Sequence, residues 1–396
     1  MQNWKQLSYL QIGNACCLPT VFVGYFIGSQ LTLFSSISVI VFGNIFLFFL
    51  ALIYTQLIKD RDLSTIECAR LLFGKTGTAL CGLGLYITMI GWMTIQLNIT
   101  VSFILKLVKH TPPFLIEGML MSLLFFITRW ELKAIARFNQ VIFPVLLIGM
   151  LYIVLHSLKI QPVLPTSSLL TPTLSIMLVI NTCLGVIFDF PTFFRKKTSA
   201  KDVYISLILL FLVALPLIEV AGVIIATHRS SAQEVDLIKS LPQQTPLFFS
   251  IFFILSGISA NCMNLYSASI TVTKLIKKIN FNRSLLITSV ISVFLATFNL
   301  EKNYLSYLET INIIITLMGS MLVTHIILNK QNIFKLSENQ KYHYDFLFLF
   351  FLIYFISTKF LNLKIFEDSF LDMLLITFSI TAIFILLHRR QNVFIR

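Results

Sequence analysis

Charged residues are scarce in this chain. They make up 12% of its 396 residues, against 57% hydrophobic residues, and the mean hydropathy is +0.87. A soluble globular domain of this length cannot cover its surface with so few charges. The composition therefore excludes an ordinary soluble fold and predicts a protein that crosses the membrane several times, with the lipid bilayer as its surroundings.

Cysteine and histidine are also sparse, with six residues of each. Most of the cysteines fall inside predicted spans, and a disulfide framework or a Cys/His metal centre is therefore not expected. The cysteines are Cys16, Cys17, Cys81, Cys183 and Cys262 within spans, and Cys68 in a loop. The chain also lacks a nucleophile elbow and a phosphate-binding glycine loop, so we do not expect an enzyme.

The basic residues do not cluster on one face, although the net charge is +13. They lie in short connections between apolar segments, which argues against a nucleic-acid partner. When alternate connections are assigned to opposite sides, most of the 30 Lys and Arg residues fall on the side of the N-terminus. The positive-inside rule then predicts a multi-pass protein of the cytoplasmic (inner) membrane with both termini in the cytoplasm.

Apolar stretches of about 17–25 residues indicate about twelve transmembrane helices, an even number that agrees with both termini lying on one side. The first stretch runs into a second span and has no small-residue cleavage site, so it is interpreted as a helix rather than a signal peptide. No connection is long enough for a soluble domain, and residues 1–396 are expected to form one integral domain. The spans are expected at 11–31, 34–58, 77–107, 113–128, 138–157, 173–194, 203–227, 245–272, 284–299, 304–328, 344–361 and 368–388.

The connection after the second span, from Asp60 to Gly74, combines charges of both signs with an apolar stripe. This pattern predicts a short amphipathic helix at the cytoplasmic interface that ends at Gly74. Its expected role is structural, because a helix lying at the interface can clamp the spans on either side of it.

Polar residues inside spans are the candidate site residues. Trp92 and Gln96 lie four residues apart near the middle of the third span, so they share one helix face. A flat ring beside an amide suits a planar, polar heterocycle, which stacks on the first and hydrogen-bonds to the second. Asn261, Asn264 and Ala268 share a face of the eighth span. For these asparagines the alternative is hydrogen bonding between helices, worth about 0.6–2 kcal/mol.

Two spans that lie five helices apart each contain an asparagine followed by small residues. These are Asn14 in the first span and Asn181 in the sixth. Interrupted helices at equivalent positions are expected in a five-plus-five inverted repeat, where they expose backbone groups to a central site. Small residues that allow two helices to pack closely are the other explanation.

Among the carboxylates within or near spans, the candidates considered are Asp189, Glu219 and Glu309. A carboxylate at bilayer depth is a candidate proton carrier or cation ligand. Asp189 precedes Arg195 by less than two turns, which favours a structural ion pair or a helix-end contact. Glu219 is a stronger candidate for a proton relay than Glu309 because it lies deeper in its span. A water-filled vestibule is the alternative for both.

Five short motifs follow one another between residues 43 and 269, within a resemblance that covers most of residues 10–330. They are Gly43-Asn44, ARLLFG at 69–74, GW followed by Gln96, FDFPTFFR at 188–195 and NCMNLYSAS at 261–269. Together they resemble the nucleobase/cation symporter family, which includes cytosine permeases and hydantoin transporters. The resemblance implies a leucine-transporter-like, all-α membrane fold. Its two inverted repeats would occupy 11–157 and 173–328, and two additional C-terminal helices would lie within 344–388.

The resemblance also implies where substrate and cation bind. Substrate would lie between broken helices 1 and 6 and helices 3 and 8, which contribute Asn14, Asn181, Trp92, Gln96, Asn261 and Asn264. The cation site would combine helix 1 carbonyls with helix 8 hydroxyls. Here Ser259 offers one hydroxyl, whereas Ala260 stands where a second is often found, and hard cations need several oxygen ligands. The identity of the coupling ion stays open: it is sodium, a proton carried by Glu219, or no ion at all.

The expected function is secondary active import of a small planar nitrogen heterocycle, such as a cytosine-like nucleobase or a related pyrimidine, by alternating access. No cofactor is expected beyond a coupling ion, and a monomer is compatible with the sequence. An amino-acid permease of the same fold is the closest alternative, but it would hold its substrate with helix termini and would not need Trp92 and Gln96. A channel is less well supported, because no charged ring or repeated filter sequence is present.

Overall fold

A computed structural model shows a bundle of α-helices. It describes residues 2–58, 62–108, 110–159, 161–162, 170–228, 247–298, 315–316, 318–324, 326–327, 377, 379–381 and 383. The helices up to residue 298 are α1 (Trp4–Ala15), α2 (Leu18–Gln30), α3 (Leu33–Thr55), α4 (Thr65–Leu107), α5 (Pro113–Thr128), α6 (Glu131–Ser157), α7 (Pro172–Phe188), α8 (Phe190–Phe194), α9 (Ala200–Leu207), a π-helical stretch (Ile208–Ala214), α10 (Leu215–Thr227), α11 (Leu247–Leu275) and α12 (Phe281–Ala296).

Within the described part of the chain, five helical segments are long and apolar enough to cross a membrane. They are α3, α4, α6, the continuous run Ala200–Thr227 and most of α11. The bent pair of α1 and α2 makes a sixth, and α5, α7 and α12 are shorter apolar helices. Each predicted span from 11–31 to 284–299 therefore has a helical counterpart. Span 304–328 is described only from residue 315 onward, and spans 344–361 and 368–388 lie almost entirely outside the described residues.

The first span is broken, as predicted. α1 ends at Ala15, and α2 begins at Leu18 after an extended Cys17, with the two helices inclined by 55°. Pro19 lies in the first turn of α2, where the missing backbone N–H of proline is tolerated. The break therefore has a local cause and leaves backbone groups near Asn14 outside a regular helix.

The sixth span is broken at a different place from the one expected. α7 continues through Asn181 to Phe188, and the non-helical residue is Asp189, which separates α7 from α8. The predicted interruption beside Asn181 is therefore wrong, and the break lies about two turns later. Pro191 explains this position, because it falls in the first turn of α8, where proline is favoured.

The predicted amphipathic helix forms the beginning of α4. Ser64 precedes it and donates its backbone N–H to Glu67 Oε2 at 2.9 Å, as in a capping box. Gly74 ends it, with φ 72 and ψ −162, a backbone conformation that favours glycine. Lys274 at the end of α11 donates to Glu67 Oε1 at 2.5 Å. The short helix is thus attached to a distant span.

Asp189 makes a helix-end contact, one of the two alternatives that the sequence predicts. Its buried carboxylate accepts hydrogen bonds from the Thr65 hydroxyl at 2.7 Å and from the Ser267 hydroxyl at 2.5 Å. Arg195 donates to the Tyr266 hydroxyl at 2.7 Å. The break between α7 and α8 is therefore joined to the start of α4 and to α11, which stabilises this end of the bundle.

α2 and α10 are in backbone contact. A Cβ atom added to Gly24 would lie 1.8 Å from the Glu219 carbonyl oxygen, and one added to Gly222 would lie 2.1 Å from the Val21 carbonyl oxygen. No side chain fits between the two backbones, so glycine is required at both positions. Small residues commonly permit such close crossings of membrane helices. The contact holds the helix that bears Glu219 against the second half of the broken first span.

Candidate functional site

A central cavity lies where α1, α2, α4, α7, α10, α11 and the π-helical stretch meet. Its empty volume is about 600 Å³, counting its opening, and none of the residues that line it is charged. Trp92 and Phe211 are the aromatic residues of the lining. The polar side chains in the lining include Gln11, Asn14, Thr20, Gln96, Thr182 and Asn264. An aromatic surface surrounded by uncharged donors and acceptors suits a neutral, planar and polar ligand.

Four of the predicted substrate residues line this cavity. Trp92 and Gln96 reach it from α4, Asn14 from the end of α1 and Asn264 from α11. The spacing of Trp92 and Gln96 therefore places both side chains on the same face, as the sequence predicts. Residues far apart in the chain are brought to one place by the packing of three helices.

Two other predicted residues, Asn181 and Asn261, are not among the residues that line the cavity. Asn261 is buried within the bundle, one turn before Asn264. Thr182, the residue after Asn181, lines the cavity instead. Successive residues of a helix point about 100° apart, so a small rotation of α7 or α11 decides which of its residues face the cavity.

Several amide atoms in the lining have no hydrogen-bond partner among the described residues. They are the Gln96 Oε1 acceptor, the Asn264 Nδ2 donor and both polar atoms of the Gln11 amide. Buried polar groups normally have partners, and leaving one unpaired costs about 1–3 kcal/mol. A ligand or water in the cavity can supply these partners. The set contains donors and acceptors, which matches the mixed edge of a nitrogen heterocycle.

Gln11 is a site residue that the sequence reasoning missed. It is buried in α1 three positions before Asn14, and both residues line the cavity. A signal was available, because residues at i and i+3 share a helix face, and two amides in an apolar span are costly unless they have partners. The spacing that singles out Trp92 and Gln96 could therefore have identified this second pair.

Ser259, the predicted cation ligand, does not line the cavity and lies buried on α11. Its hydroxyl donates to Asn139 Oδ1 at 2.8 Å, and Asn139 Nδ2 donates to the Tyr9 carbonyl oxygen at 3.2 Å. A single carboxamide from α6 therefore connects α11 to α1. The sequence analysis did not single out Asn139.

Glu219, the predicted proton carrier, is fully buried on α10. Asn44 Nδ2 on α3 donates to Glu219 Oε2 at 2.6 Å and also to the Ile40 carbonyl oxygen at 3.0 Å. Glu219 Oε1 and Asn44 Oδ1 have no hydrogen-bond partner among the described residues. Asn44 belongs to the first of the five family-like motifs. The other candidate, Glu309, lies outside the described residues.

The part of the chain that the structure describes holds no group of three or more His, Cys, Asp or Glu residues that could bind a metal ion. Two of the buried carboxylates accept hydrogen bonds from neutral groups. Asp189 accepts hydrogen bonds from hydroxyl groups, and Glu219 accepts one from an amide.

Comparison with known proteins places these observations in a family. A protein-family model described as "Permease for cytosine/purines, uracil, thiamine, allantoin" matches residues 1–348. No curated protein sequence matches the chain significantly. The family model covers both the cavity residues and the Glu219–Asn44 pair.

Solved structures share the fold at low sequence identity. Mhp1, a nucleobase-cation-symport-1 family transporter in a closed conformation with bromovinylhydantoin bound, has a TM-score of 0.73 at 14% identity, over 96% of this chain and 91% of its own. Its inward-facing conformation has a TM-score of 0.67 at 14% identity, over 95% and 89%. A manganese transporter of Eremococcus coleocola has a TM-score of 0.57 at 14% identity, over 98% and 95%. These similarities confirm the predicted leucine-transporter-like fold.

Proposed function

Because the chain belongs to the family of permeases for cytosine/purines, uracil, thiamine and allantoin, we propose that it imports a small planar nitrogen heterocycle by alternating access. A cytosine-like nucleobase or a related pyrimidine is the simplest such substrate. The observation that carries this proposal is the grouping of Trp92, Gln96, Asn14 and Asn264 around one uncharged cavity. A neutral ring also avoids the cost of placing a charge deep in the bilayer.

The proposed recognition divides the work between the aromatic ring and the amides. Trp92 stacks on the ring of the substrate, a contact worth about 1–3 kcal/mol for bases on aromatic side chains. Gln96, Asn264 and Gln11 read the polar edge, because each presents a buried amide atom that has no hydrogen-bond partner in the described part of the chain. A ring that fails to pair with these atoms leaves them unsatisfied, which is a strong source of discrimination. The hydantoin bound by Mhp1 is itself a planar nitrogen heterocycle.

Competition for binding tests the substrate class. We expect purified protein in lipid vesicles to bind at least one of cytosine, uracil, a purine base, a hydantoin or a thiamine-precursor pyrimidine, and unlabelled amino acids not to compete. The charge-free lining of the cavity is the physical reason, since an amino acid brings two charges. Protein-free vesicles are the control. Binding of an amino acid, with none of the rings bound, would favour the amino-acid permease instead.

We further propose that a proton on Glu219 is the coupling ion. An ionised Glu219 would face Asn44 with two unpaired acceptors, Glu219 Oε1 and Asn44 Oδ1. A proton on the carboxyl group supplies the missing donor, so the neutral acid and the amide can satisfy each other. An unpaired carboxylate at this depth is far more costly than a neutral acid.

The surroundings of Glu219 support a neutral acid as well. α2, α3 and the π-helical stretch, which pack against α10, contain no Asp, Glu, Lys, Arg or His. α6 carries its charged or titratable residues near its two ends, and these are Glu131, Lys133, Arg137, Tyr152 and His156. The thiol of Cys183 interacts electrostatically with Glu219 and also lines the cavity. Among the described residues, the elements that pack against α10 therefore carry no cationic side chain in the middle of their helices.

We propose that both termini lie in the cytoplasm, because Lys and Arg concentrate in the connections on that side. Reporter fusions test this arrangement. A phosphatase joined after residue 396 is expected to be inactive in intact cells, and a fluorescent protein at the same point is expected to be bright. Fusions in the connection between α4 and α5 should give the opposite pattern and serve as the control. Phosphatase activity of the fusion at residue 396 would contradict the prediction of an even number of spans with both termini in the cytoplasm.

A further inference from the structure

Asn139 lies where the resemblance to the symporter family implies a coupling cation. Such a site would draw oxygens from the first span and from the eighth, near Ser259. In this protein the Asn139 amide bonds to both elements, accepting from the Ser259 hydroxyl at 2.8 Å and donating to the Tyr9 carbonyl oxygen at 3.2 Å. It comes from a third helix, α6, and is itself buried.

Gly13 provides the space for this amide. A Cβ atom at Gly13 would lie 2.3 Å from Asn139 Nδ2 and 2.7 Å from the Ser259 hydroxyl oxygen. Neither distance is compatible with a side chain, so α1, Asn139 and Ser259 meet at one point without room between them. Any additional ligand there would have to displace the amide.

The groups that meet at Asn139 are poorly suited to bind a cation. The Tyr9 carbonyl, which a cation would have to share, already faces an N–H group carrying a partial positive charge. Ser259 offers a single hydroxyl oxygen, which already contacts Asn139 Oδ1, and the following residue, Ala260, adds no side-chain oxygen. Hard cations need several oxygen ligands. A carboxamide is both donor and acceptor, so it satisfies the two sides without any charge.

We infer that Asn139 is a built-in substitute for a coupling cation, joining α1 to α11 through a neutral hydrogen-bonded bridge, and that this protein binds and transports independently of sodium. The inference rests on the proposed function only in that the protein is a transporter of this fold. It does not depend on the proton proposed for Glu219, which lies on α10 and accepts a hydrogen bond from Asn44 on α3. It also assigns Asn139 a positioning role.

Thermal unfolding of the purified protein in detergent tests the inference without any substrate. The midpoint is compared in sodium chloride and choline chloride at equal ionic strength and pH. We expect the wild-type midpoint to be the same in both salts. Asn139→Asp replaces the N–H donor with a second oxygen and adds a negative charge beside Tyr9 and Ser259. We expect sodium to raise the midpoint of this variant by several degrees, and uptake by the variant to become faster in sodium.

Asn98→Asp is the matched control. Asn98 is another buried amide that joins two helices, since its Nδ2 donates to the Ala296 carbonyl oxygen at 3.2 Å, and it does not line the cavity. Sodium should not shift the midpoint of this variant. A sodium-dependent midpoint in the wild-type protein overturns the inference even if Asn139→Asp cannot be purified. An Asn139→Asp protein that ignores sodium overturns it as well. Both readings stand whether or not a heterocycle proves to be the substrate.

Discussion

Uptake by a Glu219→Gln protein is expected to lose its response to an imposed pH gradient, so that substrate no longer accumulates above its equilibrium level. Glutamine has the shape of the protonated acid and can exchange two hydrogen bonds with Asn44, but it cannot release a proton. Folding and substrate binding should therefore be retained. The measurement is gradient-driven uptake into vesicles, together with exchange of labelled for unlabelled substrate across vesicles without a gradient.

Exchange is the informative comparison, because it requires substrate binding and alternating access but no net proton movement. We expect Glu219→Gln to exchange at a rate close to that of the wild type. Glu117→Gln makes the same chemical change at another buried glutamate, on α5, away from the cavity, and should keep its gradient-driven uptake. If Glu219→Gln still accumulates substrate in response to the pH gradient, the proton is carried elsewhere.

The packing of α2 against α10 gives the cavity a physical connection to Glu219. The backbones touch at Gly24 and Gly222, so the two helices are expected to move together. Thr20 on α2 lines the cavity, and Glu219 on α10 faces Asn44 on α3. A substrate that shifts α2 therefore changes the surroundings of the carboxyl group, which is the requirement for coupling substrate binding to proton binding.

Substitution of Trp92 by alanine is expected to weaken substrate binding roughly tenfold or more. The lost stacking is worth about 1–3 kcal/mol, and about 1.4 kcal/mol corresponds to a factor of ten in affinity. Gln96→Ala is expected instead to change which ring is preferred, since the Gln96 Oε1 acceptor has no partner among the residues that the structure describes and is available to the ring edge. Equilibrium binding of a panel of nucleobases and hydantoins measures both effects.

Two further tryptophan variants control this experiment. Trp92→Phe keeps an aromatic face and should recover most of the affinity. Trp130→Ala removes a tryptophan that is exposed beside α6 and does not line the cavity, and it should bind like the wild type. Near-normal binding in both Trp92→Ala and Gln96→Ala would assign these two residues to helix packing.

Local patterns in the chain were sufficient for the spans between residues 11 and 298, for the broken first helix and for four of the six predicted substrate residues. The length of an apolar run predicts a span whatever surrounds it. The end of the short helix at Gly74 and the start of α2 before Pro19 depend on the backbone preferences of glycine and proline. Trp92 and Gln96 could be paired because a spacing of four residues places two side chains on one face of any α-helix.

The remaining features required the packed bundle. Asn44 meets Glu219 across 175 positions of the chain, and Ser259 meets Asn139 across 120. Which of two nearby residues faces the cavity, such as Asn261 or Asn264, depends on how α11 is rotated and where its neighbours cross it. Periodicity along one helix carries no information about that rotation, because it is decided by close packing between helices. For this reason the buried bridges could be recognised only in the tertiary structure.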